Sequence, residues 1–141
     1  MTRDEIVAFS ARRLEGFNRH DAVMLAAQHA PGSVVESPFA GGVAVGREAI
    51  ERVHRAFFTA FGTVRFEQEM LLIDGDKTAH LVHVHGTHSG EIMGVPPTGR
   101  PFSISLVSLC ELRDGLIARE QRVYDFTGML LQVGALKAKP I

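Results

Sequence analysis

Apolar positions recur at two different periods along this chain, and the change of period divides it. Up to Phe61 they return every three or four residues; from Gly62 onward they alternate. Val7, Ala11, Leu14 and Phe17 fall on one helical stripe, with Arg12, Arg13 and Glu15 between them. Thr2 and Glu5 have the spacing of a capping box, which predicts that this helix starts at the beginning of the chain. Asn18-Arg19-His20 breaks it. Asp21 can cap a second, shorter helix through about His29, which Pro31-Gly32 ends. Residues 33–39 read as a short strand, with Pro38 suited to a strand end, and Gly41-Gly42 as a turn. A third helix is predicted over 47–61, with Ile50, Val53, Phe57 and Phe61 on its apolar stripe.

The alternating part divides into four strands, at 64–73, 77–88, 102–112 and 116–125. Asp74-Gly75 and Asp114-Gly115 are hairpin turns, because both need residues that tolerate positive φ. A Gly- and Pro-rich loop covers 94–101, and the tail from Phe126 to Leu136 can form a helical turn or more. Helices followed by a meander predict an α+β fold. In such a fold the N-terminal helices pack on one face of a highly curved mixed or antiparallel sheet. A sheet wrapped around a long helix leaves a hollow, the default place for a ligand. No repeat or linker interrupts residues 1–141, which read as a single domain.

Composition narrows the classes of partner. The 141 residues carry a formal net charge of −1 with no Lys/Arg block, so the charge pattern that nucleic acid requires is missing. No apolar run is long enough to span a bilayer, and residues 1–13 lack the apolar core of a secretory leader. Cys110 is the single cysteine, which excludes an intrachain disulfide and fits a reducing cytoplasm. It lies in an apolar strand without an activating cation, so it reads as a buried structural thiol.

Asp125 is the most informative candidate. It ends an apolar strand, where burial would raise its pKa and suit it to relay protons. It can equally cap the turn at Thr127-Gly128. Alternation puts Asp125, Val123, Gln121 and Arg119 on one face, and Tyr124, Arg122 and Glu120 on the other. A two-residue turn at Asp114-Gly115 pairs Asp125 with Ile104, and a one-residue bulge pairs it with Ser103; the slip exchanges the facing set. His80, His83, His85 and His88 crowd one strand, with His83 and His85 on one face and His80 and His88 on the other. A His-x-His pair can hold a metal, but no further ligand stands at a diagnostic spacing, so the histidines are read as pocket-lining and no metal is expected. Glu36 is a second candidate pocket carboxylate. No phosphate loop, nucleophile elbow or dinucleotide fingerprint is present, and no cofactor is expected.

Two segments resemble a known family. Gly86-Thr87-His88-Ser89-Gly90 with Gly94-Val95-Pro96-Pro97-Thr98-Gly99-Arg100, and Arg122-Val123-Tyr124-Asp125 followed by Gly128-Met129-Leu130-Leu131-Gln132-Val133-Gly134, are similar to the SnoaL-like polyketide cyclase (ester cyclase) family. The resemblance implies a cone-shaped α+β barrel, a deep apolar pocket without a cofactor and an intramolecular aldol ring closure. It also implies one general acid/base near the end of the last strand, a position Asp125 matches. The family's aromatic residue four positions earlier is Gln121 here.

The leading expectation is therefore a cyclase or isomerase acting on an enolisable, polyketide-like carbonyl compound. Asp125 is its catalytic residue, and His83, His85, Gln121 and Glu36 contact the substrate. Alternatives are a non-catalytic binder of a hydrophobic small molecule, a ketosteroid-isomerase-like enzyme with Glu36 as base, and a bare oligomerisation module. An apolar outer sheet face, with Leu106, Leu109 and Leu112 as candidates, predicts a homodimer or homotetramer.

Overall fold

The computed structural model describes residues 1–140. Two helices lead, α1 (Arg3–Asn18) and α2 (Ala22–Ala27), followed by β1 (His29–Ser37), a single 3-10 turn at Pro38–Ala40 and β2 (Gly42–Val45). Helix α3 (Arg47–Ala60) precedes the four long strands β3 (Arg65–Asp74), β4 (Lys77–Thr87), β5 (Pro101–Arg113) and β6 (Leu116–Tyr124), and α4 (Phe126–Val133) closes the chain. Four helices thus pack on one six-stranded mixed sheet of order β2-β1-β6-β5-β4-β3, curled but not closed. Its one parallel pair is β1 with β6, made possible because α3 and the β3–β5 meander intervene between them.

Local chemistry accounts for the element ends. Thr2 and Glu5 form the capping box, each side chain bonding the other's backbone N–H. Asp21 caps α2 through Met24 N–H at 3.1 Å. Two elements differ from the pattern. Strand β1 begins at His29 and runs through Pro31-Gly32, because these lie at the sheet margin where proline's missing N–H leaves no gap in a ladder. Beyond the Gly41-Gly42 turn, residues 42–45 form the edge strand β2 against residues 34–37.

The buried stripe of α1 is also rotated from the apolar one. Ile6, Phe9, Ser10, Arg13 and Gly16 face inward, while Val7 is 45% exposed. The apolar periodicity missed this because two of the inward positions are polar. On α3 the expected stripe holds: Ile50 and Phe61 are buried, joined by His54 and Phe58.

The main core sits between the concave sheet face and α3 and α4. It is built on Phe58, Phe61, Val84, Phe102, Met129 and Val133. Fully burying one such side chain contributes ~1.5–3 kcal/mol. A second cluster joins Ile6 and Phe9 of α1 to Cys110, Leu112 and Ile117, and a third joins Val35, Ala44 and Ile50. Between these clusters the concave face turns polar. No helix among the described residues is long and apolar enough to cross a membrane.

Candidate functional site

A one-residue irregularity in β6 decides which side chains face inward. Next to the hairpin, Leu112 pairs with Ile117, but Glu111 pairs with Arg119, so Ala118 is an extra residue. Ile117 is fully buried on the concave face. Without the bulge, Arg119, Gln121 and Val123 would follow it inward. With it, Glu120, Arg122 and Tyr124 do, and Tyr124 stands opposite Leu106. The slip runs opposite to the one considered from sequence, because the extra residue belongs to β6 rather than β5.

These three side chains face a narrow cavity of about 50 Å³ between the concave sheet, α1 and α3. Its walls are apolar, with Leu14, Phe17, Phe57, Val82, Ile104 and Leu106 among them. Its polar floor comprises Arg13, His54, His80, Ser108, Glu120 and Arg122, with Ser37 and Tyr124 at the β1 side.

Glu120 is the hub of that floor. Its Oε1 accepts from Arg13 Nη2 at 2.7 Å and Arg122 Nη2 at 3.1 Å; its Oε2 accepts from Ser108 Oγ at 2.6 Å and Arg122 Nε at 3.1 Å. Those four bonds fill the carboxylate's lone-pair directions. Burial alone would push the acid up, yet the charges of Arg122 and Arg13 outweigh it and hold Glu120 well below the usual carboxylate range. Burial likewise disfavours charge on Arg122, and Glu120 more than offsets it, so the guanidinium's pKa is raised.

The histidines of the site are neutral. His54 Nε2 lies 3.2 Å from Arg122 Nη2. A guanidinium can only donate, so this nitrogen presents its lone pair. Burial first, then Arg122 and Arg13, lower the His54 pKa well below 6.5. His80 Nε2 donates to Gln68 Oε1 at 2.9 Å, which leaves the lone pair on Nδ1. Burial and Arg13 lower its pKa as well. His29 contacts Ser33 Oγ at 2.9 Å, and its Nε2, 3.7 Å from Glu120, has no hydrogen-bond partner among the described residues. Burial and Arg13 bring His29 down to about 3. Tyr124 has its pKa raised, chiefly by burial, so its hydroxyl keeps the proton. Burial pushes the Cys110 thiol up to about 11, as a structural thiol requires.

The residues singled out from sequence lie elsewhere. Asp125 is exposed and caps α4, its Oδ1 accepting from Gly128 N–H at 2.8 Å. The cap geometry turns the carboxylate toward the helix N-terminus, so the dry interior expected around it is not found. Gln121 is exposed on the convex face opposite Leu109. Glu36 is on the same face, ion-paired with Arg119. His83 and His85 are also convex: His83 Nε2 lies 2.9 Å from Ser103 Oγ, and His85 Nε2 lies 3.3 Å from Glu67 Oε1. None of these five lines the cavity. Among the described residues no group of three or more His, Cys, Asp or Glu is placed to hold a metal. Of the three leucines expected outside, only Leu109 is; Leu106 lines the cavity and Leu112 is buried. The side chains that line the cavity carried a signal in the alternation of Glu120, Arg122 and Tyr124 and of His80, Val82 and Val84, but choosing that face required the bulge.

The family model for SnoaL-like polyketide cyclase matches residues 9–133. The chain belongs to this family. Over 56 residues it is 43% identical to the nogalonic acid methyl ester cyclase of Streptomyces nogalater; the match spans 40% of this chain and 41% of that protein's length. Two solved structures share the fold across nearly the whole chain. IdmH from Streptomyces antibioticus, a proposed polyketide cyclase, is 32% identical with a TM-score of 0.74, covering 93% of this chain and 96% of its own. TsrD from Streptomyces laurentii is 26% identical with a TM-score of 0.84, covering 96% and 99%.

Within this SnoaL-like fold the Gly/Pro loop has a mechanical role. Thr98 N–H donates to His88 Nδ1 at 3.2 Å while Thr98 Oγ1 donates to Val133 O at 2.7 Å, which ties α4 to the sheet. Among the described residues, the one carboxylate on the cavity wall is Glu120, not Asp125.

Proposed function

We propose that this SnoaL-like protein is a cyclase that deprotonates an enolisable, polyketide-like carbonyl compound and closes a ring by intramolecular aldol addition. The observation that carries this reading is the union, on one cavity, of a fixed cationic donor and a neutral imidazole. Arg122 is clamped by Glu120 and His54 through Nε and Nη2, which leaves Nη1 as a donor without a partner among the described residues. His80 keeps the lone pair of Nδ1.

In the proposed mechanism the substrate carbonyl accepts from Arg122, with the protonated Tyr124 hydroxyl as a second donor, so negative charge developing on that oxygen is stabilised as it forms. His80 Nδ1 removes the α-proton. The enolate carbon then attacks the second carbonyl, forming the ring C–C bond, and the imidazolium returns its proton to the new alkoxide. Glu120 has no free lone pair and is a positioning residue. The reaction needs no cofactor. A ring-sized guest exceeds the 50 Å³ cavity, so entry requires side-chain rings such as Phe39 and Phe57 to swing aside. Glu36 is paired with Arg119 on the convex face, away from the cavity, so the cavity favours the cyclase reading over a ketosteroid-isomerase-like one with Glu36 as base.

The test is His80→Gln, which keeps a hydrogen-bonding group and deletes the base. With a nogalonic acid methyl ester-type substrate, kcat should fall about 10²–10⁴-fold with KM nearly unchanged. Full turnover in this variant would remove His80 from the mechanism. Tight binding by the wild type with no product would favour a non-catalytic carrier instead.

A further inference from the structure

The charges on the cavity floor do not cancel. Arg13 and Arg122 contribute two positive charges, with side chains only 6% and 10% exposed, and Glu120 supplies a single negative one. The remaining titratable groups from the surrounding elements do not balance them. His54 is neutral by its hydrogen bond from Arg122, His80 carries no negative charge in either form, and Tyr124 keeps its proton. The Phe17 ring lies 5.1 Å from the Arg13 guanidinium carbon and 5.8 Å from that of Arg122, and its π-face attracts both cations without neutralising them. A buried cation without a counter-ion is costly unless a partner arrives to pair with it.

We propose that the cavity is built for a ligand with one carboxylate group, which completes the charge balance against Arg122. This rests on the cavity being the substrate site and narrows the substrate class within it. The anionic group enters first and sits on the polar floor; the rest of the molecule lies along the apolar wall of Leu14, Phe57, Val82 and Ile104. A fully neutral ester or amide of the same shape leaves the floor positive and binds more weakly.

Binding of two slender, unreactive probes tests this without any turnover. By isothermal titration calorimetry, hexanoate should bind the wild type at least about tenfold more tightly than hexanamide, since a charge-assisted bond replaces a neutral one. His54→Glu sets an internal carboxylate beside Arg122. It should abolish hexanoate's advantage, whereas His54→Gln, neutral like the native imidazole, should keep it. Equal affinities in the wild type would overturn the proposal even if no variant folds, and so would an undiminished advantage in a folded His54→Glu protein. Neither probe has an aldol partner, so the outcome stands apart from the His80→Gln kinetics. Anion-selective binding with unchanged turnover in His80→Gln would sink only the catalytic reading.

Discussion

Arg122 grips Glu120, two residues before it on the same face of β6, with two parallel hydrogen bonds: Nε to Oε2 and Nη2 to Oε1, each 3.1 Å. The bulge at Ala118 is what turns both inward, and Arg13 reaches the same carboxylate from α1 at 2.7 Å. Removing the negative charge therefore leaves two guanidiniums buried together. Glu120→Gln should lower the unfolding free energy by about 3–5 kcal/mol, the cost of breaking a buried pair. Replacing Glu120, Arg13 and Arg122 together by Leu or Met should recover most of that loss. Urea unfolding of the three proteins measures both effects, and a Glu120→Gln protein within ~1 kcal/mol of wild type would show that the hub is not structural.

Acid should weaken the fold earlier than surface carboxylates alone would allow. His29, His54 and His80 have folded pKa values below the ordinary 6.5, with His29 at about 3. Between those limits the unfolded chain binds more protons than the folded one. Stability thus rises with pH across the window and is lost as pH falls below 6.5, by at most ~1.4 kcal/mol per pH unit for each buried histidine. Glu120 adds loss of the same sign at lower pH, because its folded pKa also lies below its ordinary value. The urea midpoint should drop between pH 7.5 and pH 5.5, and His29→Asn should flatten the drop. A midpoint unchanged over that interval would contradict neutral burial of these rings.

Gly90 is required by sterics rather than by backbone angle. A Cβ there would lie 2.1 Å from Thr59 O and 2.9 Å from the Thr59 carbonyl carbon, while the N–H groups of Ser89 and Gly90 cap α3 through Ala60 O at 3.0 and 3.1 Å. Gly90→Ala must push the loop off the helix end, and should cost about 1–3 kcal/mol or more as overpacking does. Gly32, with open space around its Cβ position, is the control and should tolerate Ala within ~0.5 kcal/mol. Equal melting temperatures for the two variants would refute the steric account.

The fold was largely legible in the chain because its cues are local. The Thr2/Glu5 box, the Asp-Gly turns and the change from helical to alternating period each act within a few residues. Edge strand β2 escaped because four residues after Gly41 carry too little pattern to distinguish strand from turn. The site escaped for a different reason. Facing in β6 depends on one extra residue, Ala118, and a single slip exchanges Gln121 for Glu120 and Arg122. Arg13 escaped because charge on a helix reads as solvent-facing unless a buried carboxylate more than a hundred residues away is known to meet it. Alternation paired His80 with His88 correctly, yet could not say which histidine face was concave.

Asp125 stands at the junction of β6 and α4, and its carboxylate serves the helix. Its Oδ1 satisfies Gly128 N–H, one of the free donors in the first turn of α4, and its charge sits at the positive end of that helix. Asp125→Ala should cost ~0.5–2 kcal/mol, and Asp125→Asn, a comparable cap, much less. Because the side chain is exposed and lies off the cavity wall, both variants should retain wild-type turnover while the protein is folded. Thermal melts combined with kcat measured well below the melting temperature separate the two properties. A collapse of kcat in the well-folded Asn variant would return the proton-relay role to Asp125 and displace His80 from it.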